Sequence, residues 1–290
     1  MTKGTRVKPP GVAIFSSPPS PHQGFSLIEL IVVIAVVGIL AGIVAVFIRV
    51  PLEGYLAAAR RAELTDTADG ALVRIARDLR GALPNSVRVT ESGGTYYLEY
   101  LPIADGGRYR AAAAGDGSGD ILDFTSGADT GFDVLGPGVG AARDQYLVIY
   151  NLGLDADTSA WLGGNRRAVT SSGTVSNLAF SATGAPLPLE SPNHRFFLVT
   201  TPVSYVCDPA AGTLRRYSGY GAPAAVQPTG FGAGTNALLA LRIKACSFGY
   251  AAGASQRLGQ LSLWLQLENN TGDNAEQVSL YREIVVNNDA

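Results

Sequence analysis

The chain is poor in the side chains that carry most enzyme chemistry. Its 290 residues include only two histidines, His22 and His194, and two cysteines, Cys207 and Cys246. No Gly-x-Ser-x-Gly accompanies His194, so a serine-hydrolase triad has no support. Two thiols far apart in sequence, with a single histidine near them, make a poor zinc site. Charge is scarce as well. Charged residues are 16% and the formal net charge is −2, which gives no reason to expect a nucleic-acid partner. With 47% hydrophobic residues beside that low charge, a disordered chain is excluded too. No motif calls for a cofactor. The chain is rich in glycine (35) and contains 16 prolines, the composition of short strands and many turns.

The first positive feature is near the N-terminus. Gly24-Phe-Ser-Leu-Ile-Glu-Leu30 leads into an uncharged run from Leu30 to Ile48. With Phe25 to Ile28 it amounts to roughly 24 residues, or ~36 Å as a helix, enough to cross a bilayer. Its β-branched residues do not oppose that reading, because backbone in lipid must satisfy its own hydrogen bonds. Lys3, Arg6 and Lys8 precede the run with no acidic residue among them. Behind it, Arg49, Arg60 and Arg61 are mixed with Glu53, Glu63 and Asp66. The uncompensated cations put the N-terminus in the cytoplasm and the bulk of the chain outside. Residues 9–21, rich in proline and serine, read as a flexible tether. A cleaved secretory signal has a shorter apolar core, with its small-residue cleavage site behind it. Here the core is longer and the glycine comes first. A plain signal anchor has no use for Glu29, since a carboxylate at membrane depth costs at least ~2.5 kcal/mol.

Residues 24–48 resemble the N-terminus of type IV prepilins and of the pseudopilins of type II secretion. The resemblance implies that prepilin peptidase cuts the Gly24–Phe25 bond on the cytoplasmic side and methylates the amine of Phe25. It also implies that Glu29 pairs with the terminal amine of a neighbouring subunit. A buried amine and a buried carboxylate are each costly alone and tolerable together. On this reading residues 1–24 are a leader and 25–48 a transmembrane and assembly helix. The partners are the peptidase, the inner membrane, and other major and minor pilins or pseudopilins. The protein starts in the bacterial inner membrane with its head in the periplasm, and ends in a pilus or pseudopilus. Arg60-Arg-Ala-Glu-Leu-Thr-Asp-Thr-Ala-Asp69, Leu83-Pro-Asn-Ser-Val-Arg-Val89 and Leu280-Tyr-Arg-Glu-Ile-Val-Val-Asn-Asn288 are similar to MshO-like minor pilins of the mannose-sensitive haemagglutinin (MSHA) pilus. They are next most similar to the J-type minor pseudopilins. That implies a minor subunit, not an enzyme, that primes or caps a fibre. A pilus-borne adhesin or DNA-binding subunit and a membrane-anchored periplasmic enzyme are the readings from other classes.

From Leu52 the chain becomes amphipathic. Ala68, Leu72, Ile75, Ala76, Leu79 and Leu83 repeat at three and four, with Arg74, Arg77 and Arg80 on the opposite, solvated face. Pro84-Asn85 stops the pattern, so one helix is expected over 25–83, its part 49–83 continuing beyond the membrane, with a bend near Pro51 and Gly54. Residues 84–290 then read as a β-rich head. Leu261, Leu263, Leu265 and Leu267 alternate with polar residues, and Val278, Leu280, Ile284 and Val286 share one parity, interrupted by Arg282. Further strands are expected at 95–101, 121–125, 145–151, 177–181, 195–206 and 239–248. The fold class is α+β, a long N-terminal helix packed on an antiparallel sheet. Cys207 and Cys246 each adjoin a strand. Outside the cytoplasm one disulfide is the natural reading, with two buried thiols as the alternative.

Three motifs suggest chemistry and carry little of it. Gly136-Pro-Gly-Val-Gly-Ala141 fits a dinucleotide fingerprint, but a strand rather than a helix is expected after it, and Pro137 removes an amide. Asp116, Asp120 and Asp123 are weak calcium candidates without EF-hand spacing or its terminal glutamate, so no metal is expected. Asn269-Asn-Thr271 fits a glycosylation sequon and reads as a turn.

Overall fold

The computed structural model describes residues 24–232, 234–252, 257–269 and 276–290. The tether, Lys3, Arg6, Lys8, His22 and the Asn270–Thr271 part of the sequon fall outside them. The chain divides into two units, Met1–Tyr55 and Leu56–Ala290. Helix α1 (Leu27–Leu79) is continuous through Pro51, where a bend is expected. The proline has no N–H, so the Phe47 carbonyl lacks its i+4 donor.

Within the second unit α1 buries one stripe. Leu64, Ala68, Ala71, Leu72, Ile75, Ala76 and Leu79 all lie in a core cluster, at the three-and-four spacing that the sequence shows. The helix ends at Leu79, four residues short of Leu83. Gly81 and Ala82 donate to the carbonyls of Asp78 and Leu79 in a tightened last turn. Ala82 then bridges Pro102, and the Leu83 N–H donates to Leu101. Pairing with a distant strand takes these residues before Pro84 acts as a stop.

Sixteen strands follow among the described residues. The first eight are β1 (Arg88–Ser92), β2 (Thr95–Tyr100), β3 (Ile103–Tyr109), β4 (Gly131–Leu135), β5 (Val139–Ala141), β6 (Tyr146–Ile149), β7 (Arg166–Ala168) and β8 (Gly173–Val175). The rest are β9 (Asn177–Ala179), β10 (Arg195–Val199), β11 (Val203–Asp208), β12 (Thr213–Ser218), β13 (Thr235–Leu241), β14 (Ile243–Ala252), β15 (Leu258–Asn269) and β16 (Glu276–Asn287). They form a five-stranded sheet β1-β2-β11-β12-β13, a three-stranded sheet β14-β15-β16, a six-stranded sheet β7-β6-β10-β3-β4-β9 and the pair β5-β8. Every pairing is antiparallel.

The helix stripe packs in one core with residues of the five- and three-stranded sheets. Leu261, Leu263, Leu265 and Leu267 of β15 are fully buried there, each contributing about 1.5–3 kcal/mol relative to exposure. Arg282, which breaks the alternation of β16, reaches Asp69 of α1 at 2.8 Å, so the interruption is an ion pair with the helix. A second core lies on the six-stranded sheet, with Phe132 edge-on to Phe196 at 5.1 Å. A small third cluster, including Leu83, Leu101, Val148 and Trp161, lies beside the end of the helix.

Two expected strands are each divided. Residues 195–206 break before Val203, at Pro202, so β10 joins the six-stranded sheet and β11 the five-stranded one. Residues 239–248 break at Arg242, whose φ of 63° turns the chain from β13 into β14. Residues 121–125 form no strand, because the Asp123 carboxylate takes the N–H and hydroxyl of Thr125 and makes a turn there.

Cys207 of β11 and Cys246 of β14 are joined as a disulfide, tying the five-stranded sheet to the three-stranded one. The sequence separation is 39. By the chain-entropy estimate such a loop stabilises by about 3–4 kcal/mol. The double variant Cys207→Ala/Cys246→Ala, solubilised in detergent, is expected to unfold at clearly lower denaturant than the unreduced parent. Equal midpoints would show that the bond adds nothing.

Candidate assembly and processing site

The N-terminus of α1 is built by its own sequence. Gly24, Phe25 and Ser26 are not helical. The Ser26 Oγ accepts from the Glu29 N–H at 3.2 Å, and the Ser26 carbonyl accepts from Leu30 in the first helical bond. Ser26 is therefore the N-cap and Glu29 the third helical residue, the spacing of a capping box. The carboxylate of Glu29 sits at the positive end of the helix dipole, where a negative charge is favoured. The residues expected to be cut, methylated and paired thus occupy one turn, with the Gly24–Phe25 bond outside the helical ladder.

Beyond this turn the helix presents apolar surface on every side. Phe25 is 78% exposed and Phe47 75%, and the most apolar 18-residue stretch of α1 has mean hydropathy 3.3 with none of it buried. Between Phe25 and Ile48 the only charge is Glu29. A surface of this kind requires lipid or other helices around it. Gly38 and Gly42 stand four residues apart with nothing within 4 Å of either missing Cβ. Glycines at that spacing let helices approach closely in lipid. Reading the run only for hydropathy and charge passes over them, although the G-x-x-x-G spacing is visible. Arg49 and Glu53, at 2.9 Å and well exposed, form a helical pair worth only about 0.3–0.5 kcal/mol.

The other titratable groups of note belong to the head's architecture. Asp78 near the end of α1 accepts from the Tyr205 hydroxyl at 2.6 Å and from Arg216 Nε at 2.9 Å, with Arg74 at 3.1 Å on its other oxygen. Burial pushes this carboxyl up, but Tyr205, Arg216 and Arg74 together hold it below the ordinary value. Burial and the same carboxylate push the Tyr205 hydroxyl upward. The arrangement pins the helix to β11 and β12. Glu99, fully buried, is held by Arg88 at 2.6 Å and by the Tyr220 hydroxyl at 2.7 Å. Burial raises its carboxyl against the pull of Tyr220 and Arg88. The Arg88 guanidinium lies 3.7 Å over the ring of Trp161. Neither network was visible in the sequence, because each joins residues from several strands.

The weak candidates separate. Asp116 caps Ser118, Asp120 accepts from Asn177, and Asp123 serves the turn at Thr125. Among the described residues no group of three or more metal-ligating side chains comes together. Residues 136–141 pass through a turn at Gly136, φ 109°, into β5 and start no helix. His194 lies against the Tyr109 ring at 5.5 Å. Asn269 closes β15.

A capped apolar helix with one carboxylate in its first turn, continuing into an amphipathic stripe that an antiparallel head buries, fits a subunit anchored in a membrane and assembled through its helix. Residues 19–45 match the prokaryotic N-terminal methylation motif. A type IV major fimbrial protein FimA of Dichelobacter nodosus is 34% identical over 124 residues, which cover 39% of this chain and 72% of that protein. A fimbrial protein of the same organism is 36% identical over the same shares. No solved structure matches the chain. The chain belongs to the type IV pilin family, whose members are structural subunits processed by prepilin peptidase and assembled with other pilins.

Proposed function

We propose that this chain is a minor subunit of an MSHA-type pilus that primes or caps fibre assembly, and that it has no enzymatic role. Prepilin peptidase removes residues 1–24 and methylates Phe25. Residues 25–48 then hold the protein in the inner membrane, N-terminus inside and head in the periplasm, until the helix moves into the fibre. The observation that carries the reading is the apolar first half of the helix, none of it buried, with Glu29 alone at its capped end.

Size supports the minor role. Removing the leader leaves 266 of 290 residues, and the stretch shared with the fimbrial relatives covers only 39% of the chain. A head that large at every step would crowd a lattice wound round a helical bundle, whereas a few copies at a tip meet no such limit. A priming subunit needs lateral partners, and the head offers an apolar patch for one. Leu238 and Leu241 of β13 are about half exposed beside a groove rimmed by Glu63, Thr67 and Arg242. Quantitative proteomics of sheared fibres tests the proposal. Abundance far below the main pilin is expected, together with fewer fibres after deletion of the gene. Parity with the main pilin would reject the minor role, and unchanged fibre number would reject priming.

A further inference from the structure

The two tryptophans of the chain are used differently. Trp161 is buried, donates its indole N–H to the Ser86 carbonyl at 3.0 Å and carries Arg88 over its ring. Trp264, in the central strand of the three-stranded sheet, is half-buried, and among the described residues it has neither a hydrogen-bond acceptor nor a ring contact. Directly opposite it in the register stands Tyr281 of β16, 59% exposed and likewise without a ring contact. A cross-strand aromatic pair stabilises a sheet when the rings meet, and these do not. Both point away from α1. Alternation along β15 sends Leu261, Leu263, Leu265 and Leu267 into the core, and Gln260, Ser262 and Trp264 to the other face.

The face they share stays open. On β16, Glu283 and Val285 are exposed along with Tyr281. On β14 the facing positions are small, so a trough of about 290 Å³ runs over Gly249 and Ala251, walled in part by Gln260, Ser262, Tyr281 and Glu283. A Cβ at Gly249 would lie 2.8 Å from the Ser262 hydroxyl, so the glycine keeps the floor low and that hydroxyl in place. About 7 Å along the strands from the aromatic row lies a polar one, Ser262 opposite Glu283. Glu283 accepts from the Tyr281 hydroxyl at 2.6 Å through one oxygen and has the other free, and the Gln260 amide has no partner among the described residues. The nearby cations are committed elsewhere. Arg282 turns to Asp69, and Lys244 pairs with Glu268, six residues along β15 from Ser262.

We propose that this face binds an uncharged glycan, one pyranose ring lying with its C–H face on Tyr281 and Trp264 and its hydroxyls on Gln260, Ser262 and Glu283. An aromatic ring is negative on its face and attracts the slightly positive C–H groups of a sugar. Each sugar hydroxyl both donates and accepts, which a free amide and a free carboxylate oxygen match. A face with a carboxylate and no free cation speaks against nucleic acid and against sulfated glycans, whose charge would meet Glu283. A protein partner is a poorer fit, because interfaces are depleted in serine and glutamate. The site lies wholly in the second unit, so it stands whether or not the subunit primes a fibre.

The full chain, held in lauryldimethylamine oxide micelles that carry no sugar, tests this on an array of neutral and sulfated oligosaccharides. Binding to neutral glycans is expected. Titration with the strongest of them should change the tryptophan fluorescence. Trp264→Phe should keep the binding and lose that change, since Trp161 is buried away from the face. Tyr281→Ala and Gln260→Ala should each weaken binding about tenfold, through a lost stacked ring or a lost hydrogen bond. Both positions are exposed, so urea midpoints should match the parent's. No neutral binder, or a preference for sulfated glycans, would overturn the ligand class. Undiminished binding by both alanine variants, or a fluorescence change that persists in Trp264→Phe, would overturn the site. Tyr281→Ala missing from fibres, with no glycan bound by the parent, would assign the face to a protein instead.

Discussion

Replacing Glu29 with valine is expected to give a protein that is processed and membrane-bound but nearly absent from fibres. The capping bond is donated by the backbone N–H of residue 29 to the Ser26 hydroxyl oxygen, so it survives the substitution. The helix loses a charge–dipole interaction of about 0.3–1 kcal/mol, too little to unwind an apolar helix in lipid. Insertion becomes easier, since a carboxylate at membrane depth costs at least ~2.5 kcal/mol. Poor insertion therefore cannot explain a defect in assembly. In the fibre, a neighbour's terminal amine would be buried without its partner, a loss of roughly 3–5 kcal/mol or some 10²–10⁴-fold in incorporation. Immunoblots of membrane and sheared-fibre fractions separate the two steps. Glu29→Gln, which keeps shape and removes charge, should share the defect. Normal incorporation of either variant would sink the pairing.

Local patterns made the helix, its buried stripe and the β15–β16 hairpin legible in the sequence. Periods of 3.6 and 2 survive wherever one face meets one core, as from Leu64 to Leu79 and from Leu261 to Leu267. Of the six-stranded sheet, β6, β9 and β10 fall within expected strands, while β3, β4 and β7 were hidden and its order, far from chain order, could not be read from local patterns. Strand β3 shows why. Its Gly106 reads as a turn residue, yet a Cβ there would lie 2.9 Å from the Phe196 carbonyl oxygen, so close approach of β10 selects the glycine. The division of 195–206 between two sheets likewise depends on partners that no local pattern names. The proposed assembly site is the opposite case. Gly24, Phe25, Ser26 and Glu29 lie within six consecutive residues, so their chemistry is written contiguously, while Asp78 and its partners are gathered from α1, β2, β11 and β12.

Substituting Gly24 with glutamate is expected to abolish processing and leave the full-length precursor in the membrane. The reason lies in the peptidase, because a Cβ at Gly24 would meet nothing within 4 Å in this chain. The proposed scissile bond, Gly24–Phe25, is open to an enzyme. Helical hydrogen bonding begins only with the Leu30 N–H to Ser26 bond, so Gly24 and Phe25 can extend into an active site without melting a turn. A side chain with a charge at that point would have to enter the cleft beside the scissile carbonyl. Cutting creates an amine at Phe25, one residue before the N-cap, at the helix end where positive charge is disfavoured. A carboxylate from a neighbour would relieve that charge, which would link processing to the proposed role of Glu29. Removal of Lys3, Arg6 and Lys8 also takes the formal side-chain charge from −2 to −5, enough to resolve precursor from product by isoelectric focusing. Mass spectrometry of the unsubstituted protein should find an N-terminal phenylalanine carrying one methyl group. A mature chain beginning elsewhere, or normal cleavage of Gly24→Glu, would reject the processing site.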